Sequence, residues 1–263
     1  MHLLILVISW FALHVAVNAA IVEREIVYTD GDSSYVGTVV YDDAHPLPRP
    51  GVMIVHQWTG PGRYEMYRAR LLAKEGYIAF VADIYGLDEN GTPIRPPSGP
   101  EARAVATRFR GGDRVLFRER MQLALNTMRE LPETDPERLS AVGYCFGGTG
   151  VLELARAGAS IQSVISVHGG LDSPAPQDGA NIRTSILMLH ASHDPTTPPE
   201  QIAALIDEFD THKVDWQLNY YAHHGHSFTD PEQDGYNAVA DRRSWNALLS
   251  FLAETLADTE ESQ

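Results

Sequence analysis

Short apolar runs alternate with amphipathic segments along most of this chain, and that alternation constrains its fold more than any other feature. GVMIVH (51–56) and YIAFVAD (77–83) are almost unbroken apolar runs, the pattern of strands covered on both faces. RLSAVGY (138–144), IQSVISVHG (161–169), SILMLHAS (185–192) and VDWQLNYY (214–221) read as further strands. Between them lie segments of helical period: RYEMYRARLLAKEG (63–76), GDRVLFRERMQLALNTMRE (112–130), GTGVLELARAG (148–158), PPEQIAALIDEFD (198–210) and YNAVADRRSWNALLSFLAETL (236–256). Strands buried on both sides and separated by helices specify an α/β fold. The expectation is a mostly parallel twisted sheet of about eight strands with helices on both faces. EREIVYT (23–29) and SYVGTVVYD (34–42) alternate apolar and polar residues and form an expected antiparallel pair at one edge. Right-handed crossovers gather the C-terminal ends of parallel strands on one edge of such a sheet, where ligands bind.

The chain has 263 residues, 44% of them hydrophobic, enough for one core. Residues 20–263 are read as a single domain. Its formal net charge is −15, which argues against nucleic-acid partners and anionic lipid surfaces. The first residues, MHLLILVISWFALHVAVNAA, are apolar from Leu3 to about Val17. That run is short for a membrane span and has the length of a signal-peptide core. VNA then places small residues before a cleavage point, so residues 1–19 are read as a signal peptide and Ala20 as the first mature residue. No Lys or Arg precedes the run, and an uncleaved anchor or a buried helix is the competing reading. Export to a periplasm or the cell exterior is the expectation, with no stable membrane insertion. The sequon at Asn90 matters only if the host glycosylates secreted proteins. Oligomeric state is left open.

Cys145 is the only cysteine, so it cannot form an internal disulfide. It stands in AVGYCFGGTG (141–150), where a strand runs into a helix. A bare glycine-flanked cysteine is often a small buried hydrophobe. Here Gly143 and Gly147 flank it at two before and two after, the spacing a sharp strand–turn–helix needs around a nucleophile. The turn raises the side chain above the sheet edge, at the positive end of the next helix, which favours a thiolate. The backbone amide of Phe146 can then donate to an oxyanion, and a second donor is expected from Trp58, in the loop after the third strand.

An acid and then a histidine should follow the nucleophile in the chain. Asp194, in HASHDPTTPPEQI, follows a buried strand, and His226, in YYAHHGHSFTDPEQDGY, follows the last one. The expected roles are proton acceptor for His226 and orienting carboxylate for Asp194. Separately, Asp194 could cap a helix and His226 could be a solvated loop residue. His223, His224 and His226 lack carboxylates at metal-ligand spacing, so no metal is expected. Gln57, Tyr85, Tyr144 and His168 are candidate pocket residues, the aromatic ones equally open to a packing role.

GYCFGG, together with VHQWTGPGRYEMYRARLLAKEGYIAFVADIYG, HASHDPTTPP and HHGHSFT, resembles the dienelactone hydrolase family of the α/β-hydrolase fold, from about Ile26 to Glu254. The resemblance implies a Cys–Asp–His triad on Cys145, Asp194 and His226, and oxyanion donors on Phe146 and Trp58. It implies no cofactor, metal or organic. The implied activity is hydrolysis of a small carboxylic ester or lactone through an acyl-thioester. The alternatives are a non-catalytic small-molecule binder on the same fold, or an acyltransferase or thioesterase using the same site. In two places the chain departs from the family pattern. Gln57 stands where a glutamate faces the thiol, and with an amide there the expected resting state is a Cys145 thiolate beside protonated His226. Asp230 stands where an arginine grips the substrate carboxylate, so an acidic substrate is expected to meet a negative charge.

Overall fold

The computed structural model describes residues 20–257. The expected signal peptide, residues 1–19, lies outside the described residues. Eight strands form one sheet: β1 (Ile21–Asp30), β2 (Ser33–Asp42), β3 (Arg49–Val55), β4 (Ile78–Ala82), β5 (Thr134–Tyr144), β6 (Ser163–Val167), β7 (Ser185–Ala191) and β8 (Trp216–Tyr221). Their order across the sheet is β1-β2-β4-β3-β5-β6-β7-β8. β1 and β2 pair antiparallel from Ile21↔Asp42 to Asp30↔Ser33, and β2 is antiparallel to β4. Every other neighbouring pair is parallel. The sequence pattern explains this division. β4 and β6 are buried at every position, whereas β1 exposes most of its residues and occupies an edge.

Among the described residues there are six α-helices, α1 (Arg63–Lys74), α2 (Pro100–Arg110), α3 (Val115–Arg129), α4 (Phe146–Arg156), α5 (Pro199–Thr211) and α6 (Ala238–Thr255); α2 packs on α3 and the others cover the two faces of the sheet. The two-residue period of β3 sends Val52 and Ile54 to one apolar layer and Met53 and Val55 to the other. Residues of α1 and α6, among them Leu72 and Leu252, close the first layer. Residues of α3, α4 and α5, among them Phe117, Leu154 and Phe209, close the second.

Helix α2 does not stand out in the sequence. Its buried residues are Ala102, Ala106 and Phe109, so two of its three core contacts are alanines and the apolar stripe is faint. Gly99 precedes it with φ at +125°, Pro100 opens it, and Gly111 ends it. Beneath α2 and α3 runs a buried ionic network that fixes α4. Glu153 of α4 accepts from Arg114 (2.9 Å), Arg118 (2.8 Å) and Arg156 (3.0 Å), and Arg156 pairs with Glu208 of α5 (2.8 Å). Arg114 also pairs with Asp172.

Candidate active site

Cys145 lies between the last residue of β5 and the first of α4, with φ at 55° and ψ at −110°. A non-glycine residue with that φ is strained, by about 1–3 kcal/mol, and persists only where its surroundings enforce it. The two flanking glycines provide the enforcement. A Cβ on Gly143 would stand 2.0 Å from the Gly147 carbonyl oxygen, and one on Gly147 would stand 2.3 Å from the Val55 carbonyl oxygen. The turn is thus as tight as backbone atoms allow, and α4 begins against the end of β3. The Gly147 amide donates to the His56 carbonyl at 3.0 Å, which braces the two segments together.

Three side chains from three loops on this edge form a relay. His226 Nε2 is 3.1 Å from Cys145 Sγ, and His226 Nδ1 is 2.8 Å from Asp194 Oδ2. The other Asp194 oxygen accepts from the Thr196 amide (2.9 Å) and hydroxyl (2.7 Å). Asp194 is buried, yet these bonds outweigh the burial that opposes its charge and hold it at about 2. Burial likewise opposes a proton on His226, but the bonds to Asp194 and Cys145 prevail and raise the ring to about 10. Asp194 does not cap α5, whose N-cap is Pro198. Thr196 was legible only as a hydroxyl two residues past an aspartate, a common turn pattern with no specific chemistry.

A cavity of about 540 Å³ opens over the sulfur. Its inner wall carries Gln57, Trp58, Cys145, Phe146 and His226, and its outer wall is one face of α2, Arg103, Ala106, Thr107 and Arg110. Neither the Trp58 nor the Phe146 amide N–H has an acceptor among the described residues, so both are free to donate. Arg110 lies 3.2 Å from Asp172, which Arg114 also holds, while the Arg103 guanidinium has no partner among the described residues. A larger cavity, about 850 Å³, lies on the far side of Gln57 and contains none of the relay. Cys145 and His226 border the smaller one.

Three expectations about the pocket need correction. Tyr144 is buried on the opposite face of the sheet, against Tyr64 (ring centroids 5.0 Å apart) and beneath Arg68. Strand period explains it: position 144 shares a face with Val142, whose layer is that of α1 and α6. His168 is fully buried behind His226, ring centroids 5.1 Å apart, with Nε2 3.0 Å from the Thr229 hydroxyl. Tyr85 packs on Phe146 and His56 and donates its hydroxyl to the Trp58 carbonyl at 2.8 Å. None of the three lines the cavity; Gln57 does. Asp230 also lies elsewhere than expected. It is buried and borders the larger cavity, where it accepts from the Gln57 side-chain amide at 2.9 Å. A ligand over Cys145 therefore faces arginines of α2, not this carboxylate. No group of three or more His, Cys, Asp or Glu among the described residues is placed to hold a metal ion.

Residues 36–256 match the model of the dienelactone hydrolase family. A solved dienelactone hydrolase-like promiscuous phosphotriesterase from metagenomic libraries superposes with a TM-score of 0.84 at 35% identity, covering 90% of this chain and all of that one. The carboxymethylenebutenolidase of Pseudomonas putida is 22% identical over 78% of this chain and 86% of its own length. An uncharacterised protein of Caenorhabditis elegans is 34% identical over 54% of this chain and 95% of its own. The eight-stranded sheet and these likenesses are those of the α/β-hydrolase fold.

Proposed function

From the premise that this chain belongs to the dienelactone hydrolase family and is a hydrolase of lactones or esters, we propose that it works through an acyl-thioester on Cys145. The observation that carries the proposal is His226 bridging Asp194 and Cys145 at 2.8 and 3.1 Å on the wall of a cavity. His226 already holds the proton on Nε2, and the Cys145 sulfur attacks the substrate carbonyl carbon as a thiolate. The carbon–sulfur bond forms as the carbonyl π pair moves to oxygen, where the Trp58 and Phe146 amides receive it. Re-formation of the carbonyl expels the alkoxide, which takes the proton from His226. A water then gives a proton to His226 and attacks the thioester. The sulfur leaves as a thiolate, the proton stays on His226, and the acid is released. Asp194 keeps the ring turned with Nε2 toward sulfur throughout. From a lactone the expelled alcohol stays attached, and the product is a hydroxy acid.

The substrate is a small ester or lactone, as the cavity volume supports. Arg103, unpaired on the outer wall, supports esters whose acid part carries a second anionic group. A phosphotriester belongs in the same screen, because a solved relative is described as a promiscuous phosphotriesterase and two amides that hold a carbonyl oxyanion can hold a phosphoryl oxygen. The test is a panel of esters and lactones with the wild type and Cys145→Ala. Mass spectrometry of the quenched wild type should find one acyl group on Cys145. Turnover by Cys145→Ala above about a tenth of wild type would place the nucleophile elsewhere. An added alcohol or amine acceptor distinguishes hydrolysis from acyl transfer.

A further inference from the structure

We infer that His56 is a positioning residue that fixes the oxyanion-binding peptide between Gln57 and Trp58, an inference that rests on the proposed thioester chemistry. The argument is geometric. The Trp58 N–H and the Gln57 carbonyl belong to the same peptide plane. That bond is trans, so the two groups point in opposite directions. His56 Nδ1 lies 2.6 Å from the Gln57 oxygen, and the Gly60 amide donates to the same oxygen at 3.2 Å. Holding the carbonyl away from the cavity leaves the Trp58 N–H directed toward it.

The tautomer is set by the other ring nitrogen. His56 Nε2 accepts from the Ile84 amide at 3.2 Å, so the ring hydrogen sits on Nδ1, the atom that faces the Gln57 oxygen. The ring is fully buried, with Phe146 stacked on it at 5.6 Å and Tyr85 edge-on at 4.6 Å. Burial lowers His56 to about 4, so the ring stays neutral and keeps its acceptor nitrogen at neutral pH. The neighbouring peptides are held as well: Glu65 accepts from the Gln57 amide (3.1 Å) and Tyr85 donates to the Trp58 carbonyl (2.8 Å). A flipped 57–58 peptide would put a carbonyl oxygen into the site and leave the buried Nδ1–H without an acceptor. Position 56 therefore sets whether an oxyanion meets a donor or a lone pair.

The experiment compares His56→Leu and His56→Asn with the wild type. Asparagine can place a donor N–H where Nδ1 stands, but gives Ile84 no equivalent of Nε2. Turnover of p-nitrophenyl acetate is measured for kcat and KM, and iodoacetamide alkylation of Cys145 reports the nucleophile, which needs no oxyanion donor. The leucine variant should lose about 10²-fold in kcat, the scale of one lost oxyanion donor, with KM within about threefold and alkylation at the wild-type rate. His56→Asn should recover most of the loss. If the leucine variant does not fold, the asparagine variant carries the test alone: near-wild-type kcat supports the inference, and a 10²-fold loss overturns it. Equal losses in both variants, or alkylation that falls in step with kcat, also overturn it. Cys145→Ala run beside them separates the two readings. Retained activity there defeats the thioester chemistry; an inactive Cys145→Ala with a fully active His56→Leu defeats only the role of His56.

Discussion

Replacing Gln57 by glutamate should turn a neutral contact into a shared-proton pair and make stability fall with pH. In the native protein the Gln57 amide donates to Asp230 Oδ2 at 2.9 Å, with both residues buried. Glutamate would set two carboxylates at that separation. Both ionised, they would repel by about 6 kcal/mol at an effective dielectric constant of about 20, which corresponds to roughly four pK units. The pair therefore retains one proton up to about pH 8, where an unfolded glutamate releases its own near 4.3. Between those values the native state binds one proton more than the unfolded state. The sign follows directly: the variant loses stability relative to wild type by about 1.4 kcal/mol for each unit of rising pH. At pH 7 the deficit should be about 3.5 kcal/mol, and near pH 4 almost nothing. Urea unfolding of both proteins at pH 5, 6 and 7, under reducing conditions, measures the difference. Gln57→Glu/Asp230→Asn restores one amide and one carboxylate and should abolish the extra slope. A deficit that stays flat from pH 5 to 7, or a slope that survives in the exchanged pair, would refute the reasoning.

Imidazole NMR should find His226 titrating near 10, against about 6.5 for a free histidine. By linkage, that raised value adds stability that is fully present below about pH 6.5 and lost as the pH climbs toward 10. Alkylating Cys145, or the Asp194→Asn change, should lower the His226 value by more than a unit; no movement would mean these partners do not hold the proton. Gly147→Ala places a methyl group 2.3 Å from the Val55 oxygen, so α4 must shift and carry the Phe146 amide with it. A drop of at least about 10²-fold in kcat is expected, and a variant as active as wild type would show that the close contact is dispensable. N-terminal sequencing of protein from the native host should begin at or near Ala20 if the chain is exported. That nitrogen lies 2.8 Å from the Asp43 carboxylate, a partner for the ammonium that cleavage would create.

The sheet was legible because buried parallel strands must be largely apolar: β4 is so throughout, and β3 and β7 carry the unbroken apolar runs 52–55 and 186–189. The elbow was legible because its backbone geometry admits only glycine at 143 and 147, and the relay because chain order and strand ends bring Asp194 and His226 to the same edge. What failed to show follows from weaker pressures. Tyr144 was open to a pocket or a packing role, and strand period assigns it to packing on the other face, an inference that needed the face of Val142 to be known first. α2 buries little more than two alanines and a phenylalanine, so its periodicity is slight. Asp230 is a case where position in the chain misleads. Four residues past the histidine, it is turned behind Gln57 by a side-chain bond across the fold, and no local pattern specifies such a contact. His56 carries no sequence signal of its role, because its bond to the next residue's carbonyl depends on a turn the sequence only outlines.

Helix α2 divides labour along the chain. The sulfur, the imidazole, the carboxylate and the two amides all sit at strand ends, fixed by the hydrogen-bonded sheet and by the ions under α4. The outer wall of the cavity comes from residues 98–111, a stretch that belongs to no strand and meets the layer of α3 mainly through Phe109. Arg103 and Thr107 can thus be exchanged without moving the atoms that break the bond, whereas Arg110 is tied through Asp172 to the ions under α4. Such a protein can change its diet while keeping its chemistry: selectivity is free to drift where side chains face the cavity and hold nothing outside their own helix, and a library confined to positions 103 and 107 is the natural way to redirect it.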